Sequence, residues 1–332
     1  MFGTLLGGLP RPVGPDGVPI VDDDAAVVMA LEAQTTAGLE PLTDGRLRWR
    51  GPFDSISGLD GMAPGPAGMR LVAAPRWQSP LTVSAWRFAI EHTDGFVTQA
   101  LPGPYTLGRR LGASNPGAAA NAFADALGRE IRALADAGCA LVTIEERDAH
   151  LIGEDPVERA RFVEAHTRLL AGLDGIHVSL SIVGGSADGA GIATILAAPY
   201  ASLAVDLIAG PDNWRLVTAT PGDRGIVCGA LAPTAPRDEG PELLLWAAAY
   251  AASSSSRGRD RVGLGTAGGL EGRTWADAVA LMSGLGKAAR LAERPLAEVA
   301  PHLAPGALDL RSAALGRYIP PGRPKRRTAP RP

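Results

Sequence analysis

A closed (β/α)8 barrel of parallel strands is the fold this sequence predicts, and three observations predict it. Short apolar runs alternate with longer segments of helical period, the connections between them are short, and the strand candidates number about eight or nine. The chain has 332 residues, 46 % hydrophobic and 20 % charged, enough to bury a full core.

The strand candidates, in order, are LLGGL (5–9), LEPLTD (39–44), LTVSAWRFA (81–89), VTQAL (97–101), ALVTIEE (140–146), HVSLSIV (177–183), SLAVDLI (202–208), GIVCGAL (225–231) and RVGLG (261–265). A first helix follows VDDDAAV (21–27), whose acids cap it and favour its dipole. Later helices are expected at 116–137, 156–173, 239–254 and 274–292. The first of these starts after Asn115-Pro116 and stops at Gly138, while Glu239 and Glu242 fall in the first turn of 239–254. The Gly/Pro-rich stretch 50–80 reads as an extended ordered loop over one barrel end. The barrel should occupy 1–295, with 296–317 an extension packed on it and 318–332, a basic Pro/Arg-rich tail, disordered.

Composition excludes several functions. A formal net charge of −3 indicates neither nucleic acid nor an acidic membrane surface as partner. The N-terminus lacks a signal-peptide pattern, and no apolar run reaches membrane-spanning length. Cys139 and Cys228 sit in apolar runs and suggest no disulfide framework, which fits a cytoplasmic protein. GxGxxG after the first strand, a Gly-rich phosphate loop, a nucleophile elbow and HExxH are all missing. The Ser-rich run 251–260 reads as a helix end and loop.

Five stretches in register resemble the C-terminal barrel of cobalamin-independent methionine synthases: GTLLGGLPRP (3–12), GLEPLTDGRLRWRGPF (38–53), LPGPYTL (101–107), ADAGCALVTIEE (135–146) and GGLEGRTW (268–275). The resemblance covers about residues 1–295 and implies the superfamily shared with uroporphyrinogen decarboxylase, a TIM-barrel superfamily. In the family a zinc ion held by His, Cys, Glu and Cys activates a thiol that takes a methyl group from a folate. Here the His-x-Cys positions fall on Ser179 and Ser181, or on His177 and Ser179 with a two-residue shift. The glutamate falls on Asp206 and the second cysteine on Gly268. The serine of the first turn is Gly8 and the glutamate that binds the substrate amine is Arg46. The acidic pair is Glu145 and Glu146, and the proton-shuttling histidine falls near Thr234. No cofactor is expected, zinc least of all, and a folate remains possible.

Active sites of parallel barrels lie at the C-terminal strand ends. The polar residues expected there are Arg46, Trp49, Tyr105, Glu145, Glu146, His177, Ser179, Ser181 and Asp206, with Thr266 a weaker candidate. Glu145 and Asp206 are the candidate catalytic pair, because two carboxylates in a confined mouth are costly unless paired or functional. Arg46 and Arg50 could pair with them or grip an anionic substrate. His177, early in its strand, fits a hydrogen-bonded residue of the bore as well as a substrate ligand. Ser179 and Ser181 fit either bore filling or substrate contact. Three readings remain: an enzyme using side-chain acid/base chemistry on a small anionic metabolite, a methyltransferase with a folate or corrinoid donor and a non-thiol acceptor, or a catalytically dead paralogue that binds a metabolite or protein.

Overall fold

A computed structural model describes residues 1–303 apart from Ala67 and Ala113. The tail 318–332, and the extension from 304 onward, lie outside the described residues.

Seven parallel strands form one curled sheet: β1 (Phe2–Thr4), β4 (Gln99–Pro102), β5 (Leu141–Glu146), β6 (His177–Ile182), β7 (Ser202–Asp206), β8 (Gly225–Leu231) and β9 (Val262–Thr266). Their order is β1-β9-β8-β7-β6-β5-β4, so the chain steps to the neighbouring strand at nearly every crossover. The two edges, β1 and β4, approach each other across residues 40–42. Glu40 N donates to Gly3 O (2.8 Å), Leu42 N donates to Phe96 O (2.7 Å), and Thr98 N donates to Leu42 O (2.9 Å). Pro41, with no N–H to give, accepts from the Thr4 hydroxyl instead (2.7 Å). LEPLTD thus contributes only a single parallel bridge, Leu42 to Val97, rather than a full strand.

The period of two within each strand divides its side chains between helices and bore. On β5, Val142, Ile144 and Glu146 are fully buried towards the helices, while Thr143 and Glu145 face the bore. Leu180, Ile182, Leu203, Val205 and Cys228 continue the outer, helix-facing core. Each such aliphatic side chain contributes about 1.5–3 kcal/mol by leaving water.

The helices are α1 (Asp23–Ala37), α2 (Val83–Glu91), α3 (Pro104–Leu111), α4 (Pro116–Asp136), α5 (Pro156–Leu170), α6 (Ile192–Leu196), α7 (Trp214–Ala219), α8 (Glu242–Ser253), α9 (Trp275–Ala292) and α10 (Leu296–Val299). Asp22, Asn115, Asp155 and Thr274 cap α1, α4, α5 and α9 through their side-chain oxygens.

Four further expectations need correction. LTVSAWRFA is helical: Val83, Trp86 and Ala89, three residues apart, are the buried positions of α2, and the Trp86 indole donates to Val97 O (3.1 Å). The helical period overrides the apparent alternation. The stretch 50–80 contains an antiparallel hairpin of β2 (Asp60–Gly65) and β3 (Gly68–Arg76), not only loop. LLGGL follows β1 as a turn, with Gly7 at φ 92° and its Cα–H face against Gly269, where any Cβ would collide. Helix α8 begins at Glu242, since Pro241 fits the start of a helix and leaves Glu239 outside it.

Candidate functional site

The C-terminal mouth holds two cavities that share Arg147 and Glu271. The larger, about 470 Å³, is lined by Arg11, Arg46, Trp49, Arg50, Glu145, Arg147 and Glu271 over an apolar wall that includes Leu9, Leu47, Phe53 and Leu101. The second, about 430 Å³, adds Arg110, His150, Asp206 and the glycines Gly184, Gly268 and Gly269.

Glu145, the last bore-facing residue of β5, is 5 % exposed and makes a close ion pair with the Arg46 guanidinium. Arg147 stands 3.7 Å from the same carboxylate. Burial, then the nearby charge of Arg147, pushes the Arg46 guanidinium down to about 10, with Glu271 and Asp44 opposing the shift. Arg46 is held at φ 59°, a left-handed conformation that costs a non-glycine residue about 1–3 kcal/mol. The turn is tied down from both sides. The Gln34 side chain of α1 accepts from Thr43 N (3.0 Å) and donates to Thr43 O (2.8 Å). The Asp44 carboxylate accepts from Arg46 N (2.9 Å), and burial raises its pKa. These hydrogen bonds hold the strained turn at the edge of the charged cavity.

Asp206, at the end of β7, is 2 % exposed and lines the second cavity. Its oxygens accept from Ile208 N (2.9 Å), Ala209 N (2.8 Å) and Gly184 N (3.2 Å). Burial raises its pKa despite these donors. Asp206 therefore organises the loops after β6 and β7 as well as facing the mouth.

The other expected residues divide by position. Trp49 lines the larger cavity, and Arg50 lines it while pairing with Asp23 (2.9 Å). Ser181 lies in register with Glu145, is 1 % exposed, and its hydroxyl meets no hydrogen-bond partner among the described residues. Tyr105 and Glu146 point away from the mouth. The Tyr105 hydroxyl donates to Glu158 (2.6 Å), and burial, then Glu158, raises its pKa. Glu146, fully buried, accepts from Tyr105 N (2.9 Å), Thr106 N (2.9 Å) and the Thr106 hydroxyl (2.5 Å), holding the start of α3. Its other neighbour is His166 Nε2 at 3.0 Å, whose Nδ1 meets the Tyr200 hydroxyl at 2.5 Å. His177 opens β6 and so lies at the opposite, N-terminal end of the bore with Ser179. Thr266 stitches β9 to Leu6, accepting from its N–H at 3.0 Å.

Sequence reasoning missed Arg147, His150 and Glu271. Glu271 accepts from Gly8 N (2.9 Å), and its carboxylate folds so closely over Gly8 and Gly269 that a Cβ at either would meet it. The GGLEGRTW stretch carried that signal, since a charged residue among glycines at a strand end invites a backbone-approach reading.

At the positions that the resemblance assigns to zinc ligands stand one engaged carboxylate, Asp206, a glycine, Gly268, and either Ser179 with Ser181 or His177 with Ser179. The thiols are elsewhere: Cys139 Sγ is 3.2 Å from Leu141 O and Cys228 Sγ is 3.9 Å from Ala247 O. Among the described residues, no group of three or more His, Cys, Asp or Glu could hold a metal ion. None of the described helices is long and apolar enough to cross a membrane.

Curled parallel sheet, outer helices and a charged C-terminal mouth define an α/β architecture of the TIM-barrel type. The chain superposes on a B12-independent methionine synthase from Shewanella sp. W3-18-1 in complex with selenomethionine, with TM-score 0.73 and 16 % identity over 87 % of this chain and 96 % of that one. A methyltransferase from Methanosarcina mazei matches with TM-score 0.54 and 13 % identity over 85 % and 93 %. At these identities the likeness is one of fold. No family model matches the chain, and no curated protein matches it.

Proposed function

We propose that this chain is an enzyme on a methionine-synthase-like barrel that works without the zinc centre, binding a small anionic metabolite at the C-terminal mouth. Residues 1–295 form the barrel, with 40–43 as its short second stave closing the sheet. The carrying observation is the Arg46–Glu145–Arg147 cluster, in which one buried carboxylate holds two guanidiniums at the cavity floor. Glu145 is the acid/base group, placed where reacting atoms would meet it. Arg46 and Arg147 stabilise negative charge on the substrate, and Arg preference over Lys suits bidentate carboxylate or phosphate recognition. Asp206 completes the polar wall of the second cavity, and Trp49 and Ser181 contribute a ring face and a hydroxyl nearby. Metal-independent catalysis fits the donor set, which offers no soft ligand at the mouth. The two cysteines, both reduced and buried, fit a cytoplasmic enzyme.

A second reading is methyl transfer from a folate or corrinoid to a non-thiol acceptor. It is favoured by the two adjoining cavities of about 470 and 430 Å³, which give donor and acceptor separate places. A dead paralogue would scatter its mouth charges and fill the space with apolar side chains, and this mouth is ion-paired and open.

Thermal shift of the full chain against a library of carboxylates and phosphates, with mass spectrometry of co-purified metabolites, tests the proposal. At least one anion should stabilise the wild type and lose its effect in Arg147→Met. Stabilisation by neutral compounds only would overturn it. Calorimetric heat with methyl-folate would instead favour methyl transfer.

A further inference from the structure

The N-terminal end of the bore, opposite the mouth, contains a cavity of about 760 Å³, within the usual range for small-molecule sites. Parallel barrels ordinarily fill this region with layers of bulky branched side chains. Here the rung Thr143, Ser179, Ser202 and Gly225, in register across β5 to β8, carries nothing larger than threonine. One level up, Gly263 leaves β9 bare, and a Cβ there would lie 2.4 Å from the Phe2 ring. Glycine lets that ring lie against the wall of the bore. A small separate cluster of Leu6, Ala204 and Val227 forms the roof, and Val183, packed on it, belongs to the mouth above.

The lining has two chemistries. Hydroxyls of Thr98, Thr143, Ser179 and Ser202 occupy one side, with Thr98 and Thr143 Oγ1 atoms 3.5 Å apart and His177 Nε2 2.7 Å from Ser202 Oγ. Phe2, Leu6 and Val227 occupy the other. Charges are confined to the loops at the entrance and are of both signs: Asp223, Arg224, Asp260 and Arg261. His177 stands at the exposed first position of β6, and desolvation of its ring on the cavity side lowers its pKa. An ion entering the bore would shed its water without a partner of opposite charge, whereas a neutral molecule would not.

We infer that this cavity is a second ligand site, for a small uncharged molecule with a flat apolar body and one hydrogen-bonding edge, of the phenol, aryl-alcohol or N-heteroaromatic class. The ring lies against Phe2, Leu6 and Val227, and the polar edge meets the Ser202–His177 pair. The site is independent of the anion chemistry of the mouth.

Long-range 1H–15N NMR of the imidazoles in the full chain tests this, with phenol, indole and benzyl alcohol as probes. The expected result is a saturable shift of the His177 ring nitrogens among the five histidines. Ser202→Ala should weaken binding about three- to tenfold, the equivalent of one hydrogen bond, without lowering the thermal midpoint by more than a degree or two, roughly. Ser179→Leu, which fills the space, should abolish the shift. If that variant fails to fold, a crystal structure of the wild type with the tightest probe decides the location. Failure of all three probes to give a saturable shift overturns the inference. So does a shift lost in Arg46→Met but kept in Ser202→Ala, which puts the probe in the mouth. A structure in which residues 304–332 occupy the cavity overturns it as well. None of these results bears on the anion-binding reading, whose test uses other ligands and other residues.

Discussion

Removing the charge of Glu145 should expose how the mouth is balanced. Its side chain is 6 % exposed and that of Arg46 is 21 % exposed, so the pair is largely shielded from water and from salt. Two unit charges about 4 Å apart interact by about 4 kcal/mol at an effective dielectric of 20, before desolvation is subtracted. Breaking a fully buried pair costs about 3–5 kcal/mol. The partial exposure of Arg46, and the charges of Asp44 and Glu271 that also act on it, place Glu145→Gln lower, at about 2 kcal/mol. Arg46→Met should cost about 3 kcal/mol, because Glu145 then keeps only Arg147 at 3.7 Å. The double variant should cost no more than the worse single, giving a coupling energy of about 2–3 kcal/mol. Urea unfolding at pH 7 in low and high salt measures all four proteins, and m values check that unfolding stays two-state. The coupling should change little with salt. Additive single effects, with a coupling below about 0.5 kcal/mol, would refute a mutually dependent pair and with it the electrostatic reading of the mouth.

Asp206 should make stability depend on pH. Its folded pKa is raised by burial, so the contribution it makes is full below its unfolded value near 4 and is lost as pH rises through the folded value. Asp206→Asn should flatten that slope, measured by chemical denaturation from pH 4 to 7, and cost about 1–2 kcal/mol because an amide NH2 replaces the oxygen that accepts from Gly184 N. Glu146→Ala, which strips three hydrogen bonds from the start of α3, should cost about 3–5 kcal/mol by the same measurement. Tyr105→Phe should cost only about 1 kcal/mol and leave anion binding at the mouth unchanged in thermal shift, since it loses one bond to Glu158. The thiols of Cys139 and Cys228, pushed up to about 11 and about 12 mainly by burial, should resist aromatic disulfide reagents in the folded protein and react stoichiometrically in urea.

Much of the scaffold was legible because buried parallel strands are spelled in β-branched runs. ALVTIEE, HVSLSIV, SLAVDLI and GIVCGAL each became a strand within a residue or two. Short staves were harder. Residues 40–43 include Pro41 and make few ladder bonds, so pattern and pairing part company there. In α2, Trp86 and its neighbours satisfy both a period of two and a period of three to four, and packing decided. At the mouth, Glu145 was placed by its position at the end of its strand, and Arg46 by the turn that follows residues 39–44. Strand parity separates Glu145 from Glu146, which shares the helix-facing side with Val142 and Ile144, and from Tyr105, carried outward by α3. His177 falls away from the mouth for a different reason: as the first residue of β6 it lies at the N-terminal end of the bore, hydrogen-bonded to Ser202, as its early place in the strand suggested. Arg147, His150 and Glu271 sit in loops, where no period betrays them.

Between the mouth and the lower cavity stands the layer of Leu6, Ala204 and Val227, with Val183 packed against it on the mouth side. This apolar layer stands between the two ends and shares no lining residue with the charged cavity of Arg46 and Glu145. Leu6→Ala would thin that layer from its β1 side and enlarge the space between the mouth and the lower cavity. A leucine close to the start of the chain, together with Ala204 and Val227 from two distant strands, therefore sets how far the two ends of the bore are kept apart.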